Sequence, residues 1–290
     1  HLENSLYHLS EGIQPFQIES VQSDEVGVRL IYSGLAISYK EKPEEILPQI
    51  HSGNLDDLEY AIISKLYRMT LPEIPKIALV APFKEHSVDP NLMALLQQLG
   101  GQVPASYRDD PYEFLQMGLE SEGYPVKRIS LDEKSGIPEG TKTLAVVGPS
   151  RLSGRQKYES NRFLGQGGAL FLAVQNYEFN YKPEALGSIT LVPSEKDPGV
   201  NDLLSAWGFQ VETSVLADEQ SETISLSSGD RGGISGMSLV PIKLPVQILL
   251  TDSEMNARTS ITARLSAFFY LWGSALKIEI AKIEKQKLKI

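Results

Sequence analysis

The chain has no cysteine among its 290 residues, which excludes disulfides, thiolate zinc sites and a cysteine nucleophile. A reducing cytosol and a bacterial envelope that avoids thiols both suit that composition. Positive charge is also in deficit: 27 Lys and Arg stand against 37 Asp and Glu, for a formal charge of -10. No nucleic acid is expected as a partner, because binding a phosphate backbone requires a net cationic face. Long apolar runs are missing too. The longest, around Leu244 to Leu250 and Leu265 to Trp272, reach less than half of the roughly 20 residues that cross a bilayer. No basic, apolar leader follows His1, and histidine does not initiate a chain, so the expectation is an excised piece of a longer protein.

What remains is a chain with 41% hydrophobic residues, enough for a substantial core, and a length suggesting two domains at about 150 residues each. Residues 16 to 40 alternate like two strands, FQIESVQ and VRLIYSGLAISYK, with Ser23-Asp24-Glu25 as the turn and Gly34 marking a bulge or a close backbone approach. The loop His51 to Asn54 is expected to cap a helix from about Leu55 to Met69. On that helix Leu55, Leu58, Ile62, Leu66 and Met69 recur at three- and four-residue spacing and predict one buried stripe. Pro72 and Pro75 end it.

Beyond these prolines strands and helices alternate: KIALVAP, a helix near residues 90 to 99, a helix over 111 to 121, YPVKRISL, TLAVVG, a helix over 153 to 164, and ALFLAV. Short β-branched runs separated by helices predict an α/β fold, a doubly wound and mainly parallel sheet over residues 72 to 180. Residues 1 to 71 read as an N-terminal hairpin and helix segment, and 181 to 290 as a C-terminal α+β segment with the helix VNDLLSAWGF and the strand QVETSVLA. Ser225 to Ser238 is rich in glycine and serine and predicts an exposed, poorly packed loop.

Open parallel sheets bind ligands at the carboxyl ends of their strands. Those ends supply the candidate ligand-binding residues Lys84, His86, Ser150, Arg151 and Asn176. Ser150 with Arg151 suits an anion at a helix N-terminus; the simpler expectation is that Ser150 and Ser153 cap that helix. His86 beside Glu85 suits a general base, and more simply a solvated loop histidine. Asp109-Asp110 and Asp132-Glu133 read as solvated turns. Gly165, Gly167 and Gly168 lie between a helix and a strand, the reverse of a phosphate-loop order, and predict a helix C-cap. The four histidines show no metal-ligand spacing. Neither a metal nor a cofactor is expected, and no catalytic residue is assigned.

Ordered motifs then carry a resemblance: GIQPFQIESVQSDEVGVRLIYSGLAISYKEKPEEILPQI, Leu58-Glu59-Tyr60 with its apolar helix, Ile137-Pro138 followed by Leu144 to Pro149, Leu203-Leu204 with Trp207-Gly208-Phe209, and ITARLSAFFYLWGSAL. Over most of its length the chain resembles the GldG-like, gliding-motility-type auxiliary subunits of ABC transporters. It departs from their pattern at Ala61, at Asn161-Arg162-Phe163-Leu164 and at Val174-Gln175-Asn176, where relatives carry acidic residues. The resemblance implies an extracytoplasmic, noncatalytic domain on the periplasmic side, anchored by segments outside this fragment and partnered by the transporter's membrane subunits. It also implies a class I glutamine-amidotransferase-like α/β fold, whose catalytic cysteine has no counterpart at Gly148-Pro149-Ser150. The alternative is a serine-dependent hydrolase or transferase using Ser150 with His86.

Overall fold

A computed structural model describes residues 12–22, 25–87, 106–132, 135–183, 189–228, 238–259, 261–262 and 265–286. The chain divides into a smaller unit, His1–Pro75 with Gly118–Pro125, and a larger one, Lys76–Met117 with Val126–Ile290.

In the smaller unit β1 (Pro15–Gln22) and β2 (Glu25–Tyr32) form an antiparallel hairpin whose last pair is Gln22 with Glu25. Glu25 therefore opens the second strand and is not part of the turn. β3 (Leu35–Ile37) pairs with β4 (Glu45–Leu47). Gly34 marks a close backbone approach, since a Cβ there would lie 2.7 Å from the Leu47 carbonyl oxygen. His51 caps a short 3-10 turn, Ser52–Asn54, through Nδ1, which accepts from the Gly53 N–H at 3.1 Å. The long helix α1 (Leu58–Thr70) starts later, at Asp57, with no side-chain cap.

The buried face of α1 differs from the expected stripe. Leu55 is 53% and Leu66 38% exposed, while Arg68 and Met69 are buried. Ion pairs lie on that face. Lys65 lies 3.0 Å and Arg68 3.5 Å from the Glu45 carboxylate, and Arg68 also reaches Glu122 at 3.7 Å and its carbonyl. A guanidinium between two carboxylates can be buried along with its aliphatic stem.

The larger unit opens with β5 (Lys76–Val80), then an antiparallel pair, β6 (Lys84–Ser87) and β7 (Ser106–Asp109). The helix expected near residues 90 to 99 lies outside the described residues. There follow α2 (Glu113–Ser121), β8 (Val126–Arg128), β9 (Thr141–Val147), α3 (Gly154–Gly165) and β10 (Ala169–Ala173). β10, β9, β5 and β8 lie side by side in that order, all parallel. From the β8 edge the chain order is second, first, third, fourth, the flavodoxin-like arrangement, with its reversal between β5 and β9.

The two central strands, β5 and β9, end in unbroken apolar runs because both their faces are covered there. Ala78, Leu79 and Leu144 are fully buried and Val146 is 1% exposed. On one face Ala78, Val80, Leu144 and Val146 share a core with Phe163 of α3 and with Leu204 and Trp207 of α4 (Asn201–Trp207). On the other, Leu79, Ala81 and Ala145 pack with Tyr112. The core thus continues across residue 180, where the sequence changes character.

Between β10 and α4 the proline-interrupted segment forms a hairpin that the sequence does not announce, β11 (Tyr177–Pro183) with β12 (Ile189–Glu195). A two-stranded ribbon has only edges, so Pro183 and Pro193 cost it few ladder bonds. After α4 come β13 (Phe209–Val215), β14 (Ser221–Ser228), β15 (Ser238–Thr251), β16 (Ala267–Leu271), β17 (Ser274–Ile278) and α5 (Ile280–Gln286). β13 pairs with β17, and β15 lies between β14 and β16. Ser225 to Ser228 and Ser238 belong to paired strands, so the expected loop is shorter, and its remainder, 229–237, lies outside the described residues. Gly208 closes α4 at φ 93°, where a Cβ would meet the Glu279 carbonyl oxygen at 2.9 Å.

Candidate functional site

The reversal of strand order leaves a crevice at the carboxyl ends of β5 and β9, because the chain leaves those two strands in opposite directions. A cleft of about 640 Å³ opens there. Its floor comes from Val80-Ala81 and Ile129, and its polar wall from Arg108, Arg128 and Arg151 with Ser130 and Gln156.

Asp110 organises Arg108 and Arg128. Its side chain is 5% exposed and takes Arg128 on both oxygens at 2.9 and 2.8 Å and Arg108 at 2.9 Å. Burial pushes its carboxyl up, but hydrogen bonds from Arg128 and from the Tyr112 N–H, with the charges of both arginines, outweigh this and hold it below the ordinary carboxylate value. Arg128 also donates to the Ala81 carbonyl at 3.1 Å, tying the end of β8 to that of β5. The Arg108 guanidinium lies over the Phe83 ring, 3.8 Å from its centroid, a cation–π contact.

The loop after β8 is fixed by short polar contacts. Asp132 accepts from Ser130 Oγ and the Ser135 N–H, both at 2.8 Å, and Gln156 donates to the Ser130 carbonyl at 2.8 Å. Leu131, within this loop, is fully buried at φ 54°. A bulky side chain in left-handed backbone is a strained residue held by its surroundings.

The structure brings Ser150 and Arg151 together on the rim of this crevice. Ser150 is not a helix cap. Ser153 alone holds that role: its Oγ accepts from the Gln156 N–H at 3.2 Å and Gln156 returns the bond to the Ser153 N–H at 2.9 Å. Lys84 lines a neighbouring cleft of about 530 Å³ with Ser150, Lys196, Glu178, Glu195 and Trp272. His86 sits on β6, not in a loop, with its Nε2 3.8 Å from Asp109. Among the described hydrogen bonds none joins it to Ser150. Asn176 is tied into the fold, donating to the Glu212 carbonyl at 2.6 Å. The turn after α3 is the expected C-cap: Gly167 has φ 89° and the Gly168 N–H reaches the Phe163 carbonyl at 3.0 Å. No group of three metal-ligating side chains is found among the described residues, and no described helix is long and apolar enough to cross a membrane.

Sequence reasoning missed Arg108, Arg128 and Phe83, and it read Asp110 as part of a solvated turn, whereas two arginines hold its side chain buried at 5% exposure. A signal was present in Val126-Lys127-Arg128. The strand stops at Arg128, three residues before the end read from YPVKRISL, so the carboxyl-end position belongs to the arginine.

A family model described as an ABC-type uncharacterized transport system matches residues 75–289. The chain belongs to this family. It is an auxiliary component of an ABC-type transport system, and the match begins within one residue of the larger unit at Lys76. No curated protein and no solved structure matches the chain.

Proposed function

We propose that this transport-family chain is a noncatalytic, ligand-sensing domain that works outside the cytoplasm against the membrane subunits of its transporter, in a system of the gliding-motility type. One observation carries the reading. The family match covers the whole parallel sheet, whose switch-point crevice is walled by arginines and Ser130. Such a wall holds and orients an anionic group and supplies no activated nucleophile. The strand order and the turn Gly148-Pro149-Ser150 between β9 and α3 support a class I glutamine-amidotransferase-like scaffold used for binding.

Two experiments test the reading. Tagged full-length protein in detergent-solubilised membranes should co-purify with the permease and ATPase subunits of the ABC system; recovery of the protein without them contradicts the partner assignment. For location, the absence of native cysteine makes an introduced thiol on exposed Lys127 the only one in this chain. Lys127→Cys should react with a membrane-impermeant maleimide in intact spheroplasts. Labelling only after lysis places the domain in the cytoplasm and refutes the location.

A further inference from the structure

We infer that the crevice between β5 and β9 is a binding site for a small organic anion, a carboxylate or phosphate attached to a flat or apolar body. The inference deepens the binding role proposed above by naming the ligand class. It rests on four features that agree.

The first is position: the crevice lies at the switch point, where open α/β sheets take ligands. The second is charge. In a chain of formal charge -10, the described residues that line this crevice include three arginines and no carboxylate. The acids that balance them stand behind: Asp110 is buried under Arg108 and Arg128, and Asp197 meets Arg151 at 3.0 Å from outside the lining. Each guanidinium presents five N–H donors in a planar fork. Arg128 is engaged on Asp110 and on the Ala81 carbonyl, so it sets the position of the wall. Arg108 and Arg151 each direct one ion-paired nitrogen to a carboxylate, and their forks are the anion donors.

The third is chemical mixture. Phe83, half-exposed under the Arg108 guanidinium, and Val80, Ile129 and Pro149 give an apolar surface beside the donors. Inorganic phosphate alone leaves that surface uncovered, and a ligand with a ring or short apolar chain fills it. The volume of about 640 Å³ lies within the range of small-molecule sites, about 300 to 1,000 Å³. The fourth is strain: Leu131, next to Ser130 of the crevice lining, is fully buried at φ 54°, and such strain concentrates at ligand clamps.

Titration calorimetry at low ionic strength tests the site with four probes: phenyl phosphate, benzoate, inorganic phosphate and benzyl alcohol. Phenyl phosphate or benzoate should bind with a Kd below 1 mM as an order of magnitude, inorganic phosphate more weakly, and benzyl alcohol not measurably. The first two arms distinguish a phosphate from a carboxylate ligand. Arg108→Gln and Arg151→Gln should each weaken the tighter probe by about tenfold or more, the range of a lost charge-assisted hydrogen bond. Lys127→Gln, which removes the same charge from an exposed position outside the crevice, should bind as the wild type does. Arg151 is largely solvent-exposed, so its variant folds, and circular dichroism checks both. The inference is overturned if no ring-bearing anion binds, if benzyl alcohol binds equally well, or if Lys127→Gln weakens binding as much as the crevice variants.

Discussion

Leu79 and Leu144 in the parallel sheet are fully buried among aliphatic and aromatic neighbours, whereas the buried face of α1 in the smaller unit presents Arg68 beside Met69. The sheet excludes water by apolar contact alone, a term proportional to the area removed from water. The helix buries a guanidinium whose stability depends on Glu45 and Glu122 keeping their charge. Cores of the first kind are insensitive to pH and intolerant of lost volume; the second kind reverses both sensitivities.

Truncation gives the largest contrast. Leu144→Ala should destabilise the larger unit by about 2 to 5 kcal/mol, because the lost transfer energy is joined by a cavity that close-packed strands cannot close. Chemical denaturation monitored by Trp207, which belongs to the same core, reads the effect. In the smaller unit Arg68→Ala should cost less, about 2 kcal/mol, since Glu45 and Glu122 are each about one-third exposed or more and regain water when the guanidinium leaves. A loss for Arg68→Ala exceeding that for Leu144→Ala would break the comparison.

The backbone supplies the next effect. Gly208→Ala should lose about 1 to 2 kcal/mol from its left-handed φ, and more where the new Cβ presses the Glu279 carbonyl. Thermal melting of the variant checks this, and an unchanged midpoint refutes the close approach of α4 and α5.

The pH response is smaller and sharpens the contrast. Glu45 is pushed up by burial and pulled down further by Lys65 and Arg68, so its folded pKa lies below the ordinary value. A carboxyl with a depressed folded pKa contributes stability that is complete above the unfolded value, about 4.3, and is lost as pH falls through the folded value. Acid titration should therefore weaken the smaller unit below about pH 4, and Glu45→Gln should remove part of that loss. Asp110 follows the same sign in the larger unit, confined to the crevice wall. The smallest effect is expected at Leu66, where alanine should change stability by less than about 0.5 kcal/mol because the side chain is 38% exposed. A loss above 2 kcal/mol there would restore the apolar stripe read from the sequence.

These differences also explain what was legible beforehand. KIALVAP, TLAVVG and ALFLAV pair in one parallel sheet, because continuous apolar runs have few places to go but a covered strand. Ser153 and the glycines after α3 were readable for a local reason, since caps depend on residues within one turn. Leu55 and Leu66 were misplaced because periodicity registers apolarity and is silent about an ion pair between Arg68 and Glu122, 54 positions apart. The same blindness hid the crevice. Arg108 and Asp110 at the end of β7 and Arg128 at the end of β8 come from two separate segments and become a wall only when the chain folds. The hairpin of β11 and β12 was concealed by Pro183 and Pro193, which read as breakers although an edge ribbon accepts them.

The proposal that the crevice binds and does not catalyse is tested most directly by ATP hydrolysis in the assembled transporter. With full-length protein reconstituted alongside the membrane and ATPase subunits, the account predicts that Ser150→Ala supports the same rate as the wild type, while Arg108→Gln and Arg151→Gln change the rate by severalfold. A system silenced by Ser150→Ala and indifferent to both arginine variants would contradict it.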